Sequence, residues 1–227
     1  MSAVTPVVPD ERELRALLRA RFAGTTPSAP EDDRFVGLPP GASRQFRHLL
    51  PPEPTPASVL VPIVDHPDGL TVLLTERAAE LRHHAGQISF PGGRLEPGDG
   101  GPVATALRET EEEIGLERSR VEVIGFLPAH LIITGYRVTP VVGFVAPGSP
   151  LRLDPVEVAS VFEVPLRHVL NPANHRPRPR DFEGGQVILY DIPYGNRNIW
   201  GATAGMLITL YHFLFDQRDP REARHVG

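Results

Sequence analysis

Four glutamates fall within five residues, at Glu109, Glu111, Glu112 and Glu113, and a pair of glycines, Gly92 and Gly93, stands shortly upstream. With 3.6 residues per turn, Glu109, Glu112 and Glu113 share an arc of about 100° on a helix, while Glu111 points elsewhere. Like charges so spaced destabilise an isolated helix by roughly a few tenths of a kcal/mol per pair. A cation is therefore expected there. Hard oxygen donors on a rigid face suit Mg²⁺ or Mn²⁺, which also bind substrate phosphates. Glutamates alone would more often be a solvated acidic face. Their neighbours favour the metal site: Arg108 is four residues before Glu112 and can orient it, and Gly92 and Gly93 let backbone approach a ligand. Val103, Leu107, Thr110 and Ile114 form a separate arc expected to enter a core, which leaves the carboxylate arc facing solvent.

These residues need a scaffold. Pro102 to Gly115 reads as the helix, with Pro near its first turn and Gly115 placed to end it. Ser58–Val64 and Leu70–Arg77 read as strands around the turn DHPDG, and GQISF as a short strand leading into the glycine pair. VEVIGFL, RVTPVVGFV, EVASVFEVPL and VILYDIP read as further strands, and Ala202–Asp216 as a closing helix. Strands on both sides of one early helix imply a mixed β-sheet with helices packed on it, an α/β (α+β) fold. Asp10–Phe22 has helical spacing, and Ala23–Pro56 is a proline-rich connector or wrapping arm. The expected organisation is an N-terminal helix and arm over 1–55, a catalytic domain over 56–217 and a tail over 218–227.

Composition excludes several chemistries. The 227 residues carry a net charge of −5, so no basic field for nucleic acid is expected. No cysteine is present, which removes thiol nucleophiles and cysteine-ligated metals. All 23 basic residues are arginine, so Schiff-base chemistry and a phosphate-loop lysine are absent too. The N-terminal stretch does not read as a signal peptide, and GATAGMLITLYHFLF is too short to span a bilayer. A soluble, cytoplasmic protein without membrane partners is expected.

The stretch Gly93 to Leu116 resembles the Nudix box, G-x5-E-x7-R-E-U-x-E-E-x-G-U with U aliphatic. Gly93 is followed after five residues by Asp99, then after eight by Arg108-Glu109-Thr110-Glu111-Glu112-Glu113-Ile114-Gly115-Leu116. Asp99 replaces a Glu, one extra residue precedes Arg108, and Thr110 takes an aliphatic position. Upstream, LLTERAAELRHHAGQISFPGG (Leu73 to Gly93) is similar to the pattern LLT-x-R-x-x-x-LR-x-H-x-G-Q-x-x-FPGG of the coenzyme A pyrophosphatase subfamily, which commonly carries the Asp variant and the longer spacer. The resemblance covers roughly Ser58 to Phe215.

It implies a Nudix fold, with a mixed sheet sandwiched between helices, and metal-dependent hydrolysis of the diphosphate of coenzyme A or an acyl derivative into 3′,5′-ADP and 4′-phosphopantetheine. Glu109, Glu112 and Glu113 would hold Mg²⁺ or Mn²⁺, helped by the Gly93 carbonyl, and Arg108 would orient a carboxylate. Arg77, Arg82, His84, Gln87 and Gly92 are the expected substrate contacts, although Arg82 paired with a carboxylate and His84 packed under its loop are equally open. Within the family the general base is a box glutamate or an acid from a later loop, for which Glu157 and Glu183 are the candidates. Arg176, Arg178 and Arg180 lie in what reads as a solvated loop, with a role at the 3′-phosphate as the other option. Relatives are often homodimers. Rival readings keep the fold and change the substrate to ADP-ribose, a nucleotide sugar or a nucleoside triphosphate, make the chain a non-catalytic nucleotide-binding module, or use Asp10–Phe22 to dock a protein partner rather than cover the chain's own core.

Overall fold

The computed structural model describes residues 8–30, 33–35, 51–79, 86–182 and 185–215. Strand β2 (Thr55–His66) lies at the centre and pairs in parallel along ten residues with β8 (Tyr136–Val145). Its side chains alternate between two cores. Leu60 and Val64 enter one, while Val61 and Ile63 enter the other, as the two-residue period of a strand requires. A strand buried on both faces reads as a continuous apolar run, which is why SVLVPIV shows no polar alternation.

Around this pair the described residues form one nine-stranded mixed sheet. Strand β3 (Gly69–Arg77) hairpins onto β2 and then pairs with β4 (Ile88–Ser89) and β9 (Val158–Pro165). Strand β5 (Gly92–Arg94) joins the start of β2. Strands β6 (Val121–Phe126) and β7 (His130–Ile132) both pair with β8, and β1 (Arg34–Phe35) pairs in parallel with β7. Helix α2 (Pro102–Ile114) covers one face through Ala106 and Ile114. Helices α1 (Glu11–Phe22), α3 (Leu166–Val169) and α4 (Gly201–Phe215) cover the other. The expected mixed sheet between helices is what is found.

Helix α1 begins at a reciprocal cap, in which Asp10 accepts from the Glu13 N–H and Glu13 accepts from the Asp10 N–H. Leu14, Leu18 and Phe22 are fully buried in the chain's own core, so its apolar stripe is spent there and not on a partner. Between α1 and β1 the chain is an arm strapped to distant strands. The Thr25 hydroxyl accepts from Phe126 N–H, the Ser28 hydroxyl accepts from Ala129 N–H, and Arg137 makes two 2.7 Å bonds to the buried Asp33 carboxylate.

Two readings need correction. The arginine-rich segment is not a loop: Arg176–Phe182 is strand β10, paired with β11 (Gly185–Tyr194), which pairs with β12 (Arg197–Trp200) in a second, three-stranded sheet. The arc of α2 that carries Glu113 does not face solvent. Its neighbour on the helix wheel, Ala106, is fully buried, and Glu113 is 3 % exposed.

Candidate active site

The glycine pair and the glutamates meet because α2 packs over β5. Gly92 has φ of +148°, and a Cβ there would overlap the Ser58 carbonyl oxygen and Val59 Cα of the paired strand β2. Gly93 has a different reason. A Cβ at that position would occupy the space of the Glu109 carboxyl group. The strand thus lies directly against the acidic face of the helix, and glycine at this position leaves the Glu109 carboxyl its place.

Glu113 sits deepest. One carboxylate oxygen accepts from the Gly92 N–H at 3.1 Å, and the other is 3.6 Å from Arg77 Nη1. Burial pushes its carboxyl up to about 7; the Gly92 bond and Arg77 oppose that shift, and the charges of Glu157 and Glu109 add to it. Glu109 is also pushed up, first by burial, with Glu112 and Glu157 contributing and Arg108 opposing. Glu157 follows Asp154, to which its N–H bonds, and its own carbonyl accepts from Ala78 N–H just past β3. Its charge is thereby felt at both Glu109 and Glu113, although it was expected only as one of two candidate bases.

Arg108 organises the outer edge. It makes two 3.0 Å bonds to Asp99, one of 3.0 Å to Glu109, one of 2.9 Å to Glu112 and one of 3.1 Å to the Arg94 carbonyl. A planar guanidinium fork suits such a task, since its donors are fixed relative to one another. Asp99 also accepts from the Thr105 hydroxyl and the Glu96 N–H, and the guanidinium beside it holds its carboxyl well below the usual range. Thr110 enters the core because its hydroxyl bonds the Ala106 carbonyl one turn back, at 2.6 Å. The helix ends where Gly115 turns left-handed, with φ of +68°.

A divalent ion suits this donor set in part. The partly buried Glu109 and the buried Glu113 lie close enough for the Glu109 charge to raise Glu113, and hard oxygen donors of that kind match Mg²⁺ or Mn²⁺. Among the described residues, no three His, Asp or Glu side chains converge tightly enough to hold an ion as they stand. Glu112 is turned to Arg108 and its side chain is 59 % exposed. It joins a metal site only by leaving that partner.

Gln87 closes the base of the segment that leaves β3, its carbonyl accepting from Arg77 N–H at 3.0 Å, while Gly86 N–H bonds the Arg77 carbonyl at 3.1 Å. Arg82, His84 and Glu183 lie outside the described residues. Sequence reasoning did not give Asp99 its role as the anchor of Arg108; Asp99 standing in a box position was the available signal.

A NUDIX domain model matches residues 54–183. The chain is 45 % identical over 152 residues to the uncharacterized Nudix hydrolase NudL of Escherichia coli (strain K12 / DH10B), covering 66 % of this chain and 78 % of that protein. It is 42 % identical over 180 residues to the uncharacterized Nudix hydrolase NudL of Photorhabdus laumondii subsp. laumondii, covering 76 % and 94 %. A Nudix hydrolase from M. smegmatis, RenU, aligns with a TM-score of 0.44 at 23 % identity, over 52 % of this chain and 74 % of that one. The chain belongs to the Nudix family, hydrolases that act on pyrophosphate bonds.

Proposed function

We propose that the protein hydrolyses the diphosphate of coenzyme A or an acyl derivative, releasing 3′,5′-ADP and 4′-phosphopantetheine or its acyl form. Nudix hydrolases act on nucleoside diphosphate derivatives and generally need divalent metal ions. The observation that carries the finer reading is at Glu113. The stretch Leu73–Gly93, the part of the chain similar to coenzyme A pyrophosphatases, reaches that carboxylate from both ends, through the Arg77 guanidinium and the Gly92 N–H. A substrate group held by this stretch would lie beside the metal-binding carboxylates.

In this reading Glu109 and Glu113 would hold Mg²⁺ or Mn²⁺ with the Gly93 carbonyl, and Glu112 would complete the set. Such an ion would neutralise the diphosphate and lower the pKa of a water. Glu157 takes the proton of the attacking water, whose oxygen bonds one phosphorus as the bridging P–O bond breaks and the other phosphate leaves. A general base of this kind contributes about 10²–10⁴-fold. Arg108 is a positioning residue, and Arg77, Arg82, His84 and Gln87 contact the substrate. The same reading carries a cytoplasmic homodimer.

The test is product identification with coenzyme A and Mg²⁺ or Mn²⁺. Release of 3′,5′-ADP is expected. Intact coenzyme A alongside cleavage of ADP-ribose, a nucleotide sugar or a nucleoside triphosphate would transfer the assignment to that substrate, and binding without turnover would make the chain a nucleotide-binding module.

A further inference from the structure

The three-stranded sheet turns one face to the core and the other to solvent. Ile192 of β11 and Ile199 of β12 lie opposite one another and are fully buried in the larger core. The residues that alternate with them point the other way. On that outer face Arg176 lies opposite Asp191, which lies opposite Trp200, and Arg178 lies opposite Leu189. Arg180 follows two residues further along β10. The strand thus presents a row of arginines, each about 6.8 Å from the next.

Charge on this face is unbalanced. Among the described residues Asp191 is its one carboxylate, set against Arg176, Arg178 and Arg180. The Arg178 guanidinium is 3.0 Å from Asp191 and 5.2 Å from the Trp200 ring centroid. Arg176 and Arg180 are exposed, and neither forms an ion pair or a side-chain hydrogen bond among the described residues. Other arginines are spent on the chain itself, such as Arg15 on Asp65, Arg137 on Asp33 and Arg167 on Glu11. Trp200, the single tryptophan of the chain, is 38 % exposed beside the row. Tryptophan and arginine are the types that most often anchor protein interfaces, and a guanidinium already held in place loses less freedom on binding.

We propose that this face docks an extended acidic segment of a partner protein, with carboxylates at every second residue meeting the row from Arg176 to Arg180 beside Trp200. An extended segment repeats its side chains at the same two-residue pitch, so such a run matches the row step for step. Pro177 and Pro179 bring no N–H to a strand added at the edge of β10, which leaves recognition to the side chains. A protein segment fits better than a nucleic acid. The chain's net charge of −5 repels a long polyanion, whereas a short segment responds to the local excess of positive charge, within a Debye length of about 8 Å. Docking here would leave the chemistry open, because the small sheet packs on the larger core and α2 on the other.

The probe is a fluorescein-labelled peptide of alternating Glu and Thr, titrated with the full chain and read by fluorescence anisotropy. Saturable binding is expected at low ionic strength, weakening as salt is added. Arg176→Glu combined with Arg180→Glu should weaken it at least about tenfold, and both side chains are exposed, so the fold should not suffer. A peptide of the same composition with its glutamates in one block should bind less tightly. The same double variant should hydrolyse the nucleotide substrate with unchanged KM and kcat; a raised KM would make the row a substrate contact and overturn the docking face. No saturable binding, an unaffected double variant, or equal binding of the block peptide would also overturn it. So would tighter binding of oligodeoxythymidine or of phosphatidylserine vesicles. The titration needs no turnover, so its result stands whichever nucleotide the active site cleaves.

Discussion

At Glu113 a carboxylate is held in the core, and among the described residues a backbone N–H and a guanidinium at 3.6 Å stabilise its charge. Its pKa is pushed up to about 7, above the unfolded value of 4.5. A raised acid favours folding while it stays protonated, so this contribution is intact below about pH 4.5 and is lost as pH rises through 7. The shift corresponds to a penalty on the order of 3 kcal/mol in the metal-free protein at pH 8. Glu113→Gln should therefore raise the melting temperature of the metal-free protein at pH 8, abolish the further rise that millimolar Mg²⁺ or Mn²⁺ gives the parent, and reduce kcat by at least about 100-fold. Differential scanning calorimetry with and without EDTA, beside a rate assay, checks all three. The spacing of Arg108, Glu109 and Glu112 was legible because helical geometry alone brings them together. The burial of Glu113 was not. Its helical position borders both arcs, and only the packing of α2 on β5 decides between them.

At the level of elements, the close approach of β5 to its neighbours leaves no room for a methyl group. Gly92→Ala should cost about 3 kcal/mol in urea unfolding and remove activity, because the added carbon meets β2 backbone that cannot move aside. The arm is held by two hydroxyl bonds and one ion pair. Asp33 is 5 % exposed and bound twice by Arg137, so Asp33→Ala should cost about 1–3 kcal/mol by removing two charge-assisted bonds, while Arg137 keeps the Ser28 carbonyl and partial access to water. Long apolar strands and the amphipathic helices were readable from their periods. Strand β10 was not, since Pro177 and Pro179 interrupt it and proline argues against a strand. It survives because it is an edge strand of its small sheet, paired on one side only. The short strand β1 was missed for another reason: its two residues form a strand only through β7, far along the chain.

Across the whole molecule, stability should depend on pH in two opposing ways. His130 is buried between the Pro128 carbonyl and the Thr209 hydroxyl, and burial pushes its pKa down to about 4 from 6.5. A depressed histidine leaves stability whole above pH 6.5 and removes it as pH falls to 4, by an amount on the order of 3 kcal/mol. Over the same window Glu113 changes in the opposite sense, which flattens the profile of the metal-free parent. Glu113→Gln should expose the steeper histidine limb between pH 6.5 and 4, and urea midpoints measured across that range would show it. Among the described residues, no helix is long and apolar enough to cross a membrane. The straps of the arm have one more consequence. Thr25 and Ser28 find their partners 101 residues later, and Arg19 finds Glu122 103 residues later. Translation delivers the first helix long before the strands that receive it, so Leu14, Leu18 and Phe22 wait uncovered on the nascent chain. Folding of this enzyme should be slow, concluding only when its beginning is gathered in by its middle.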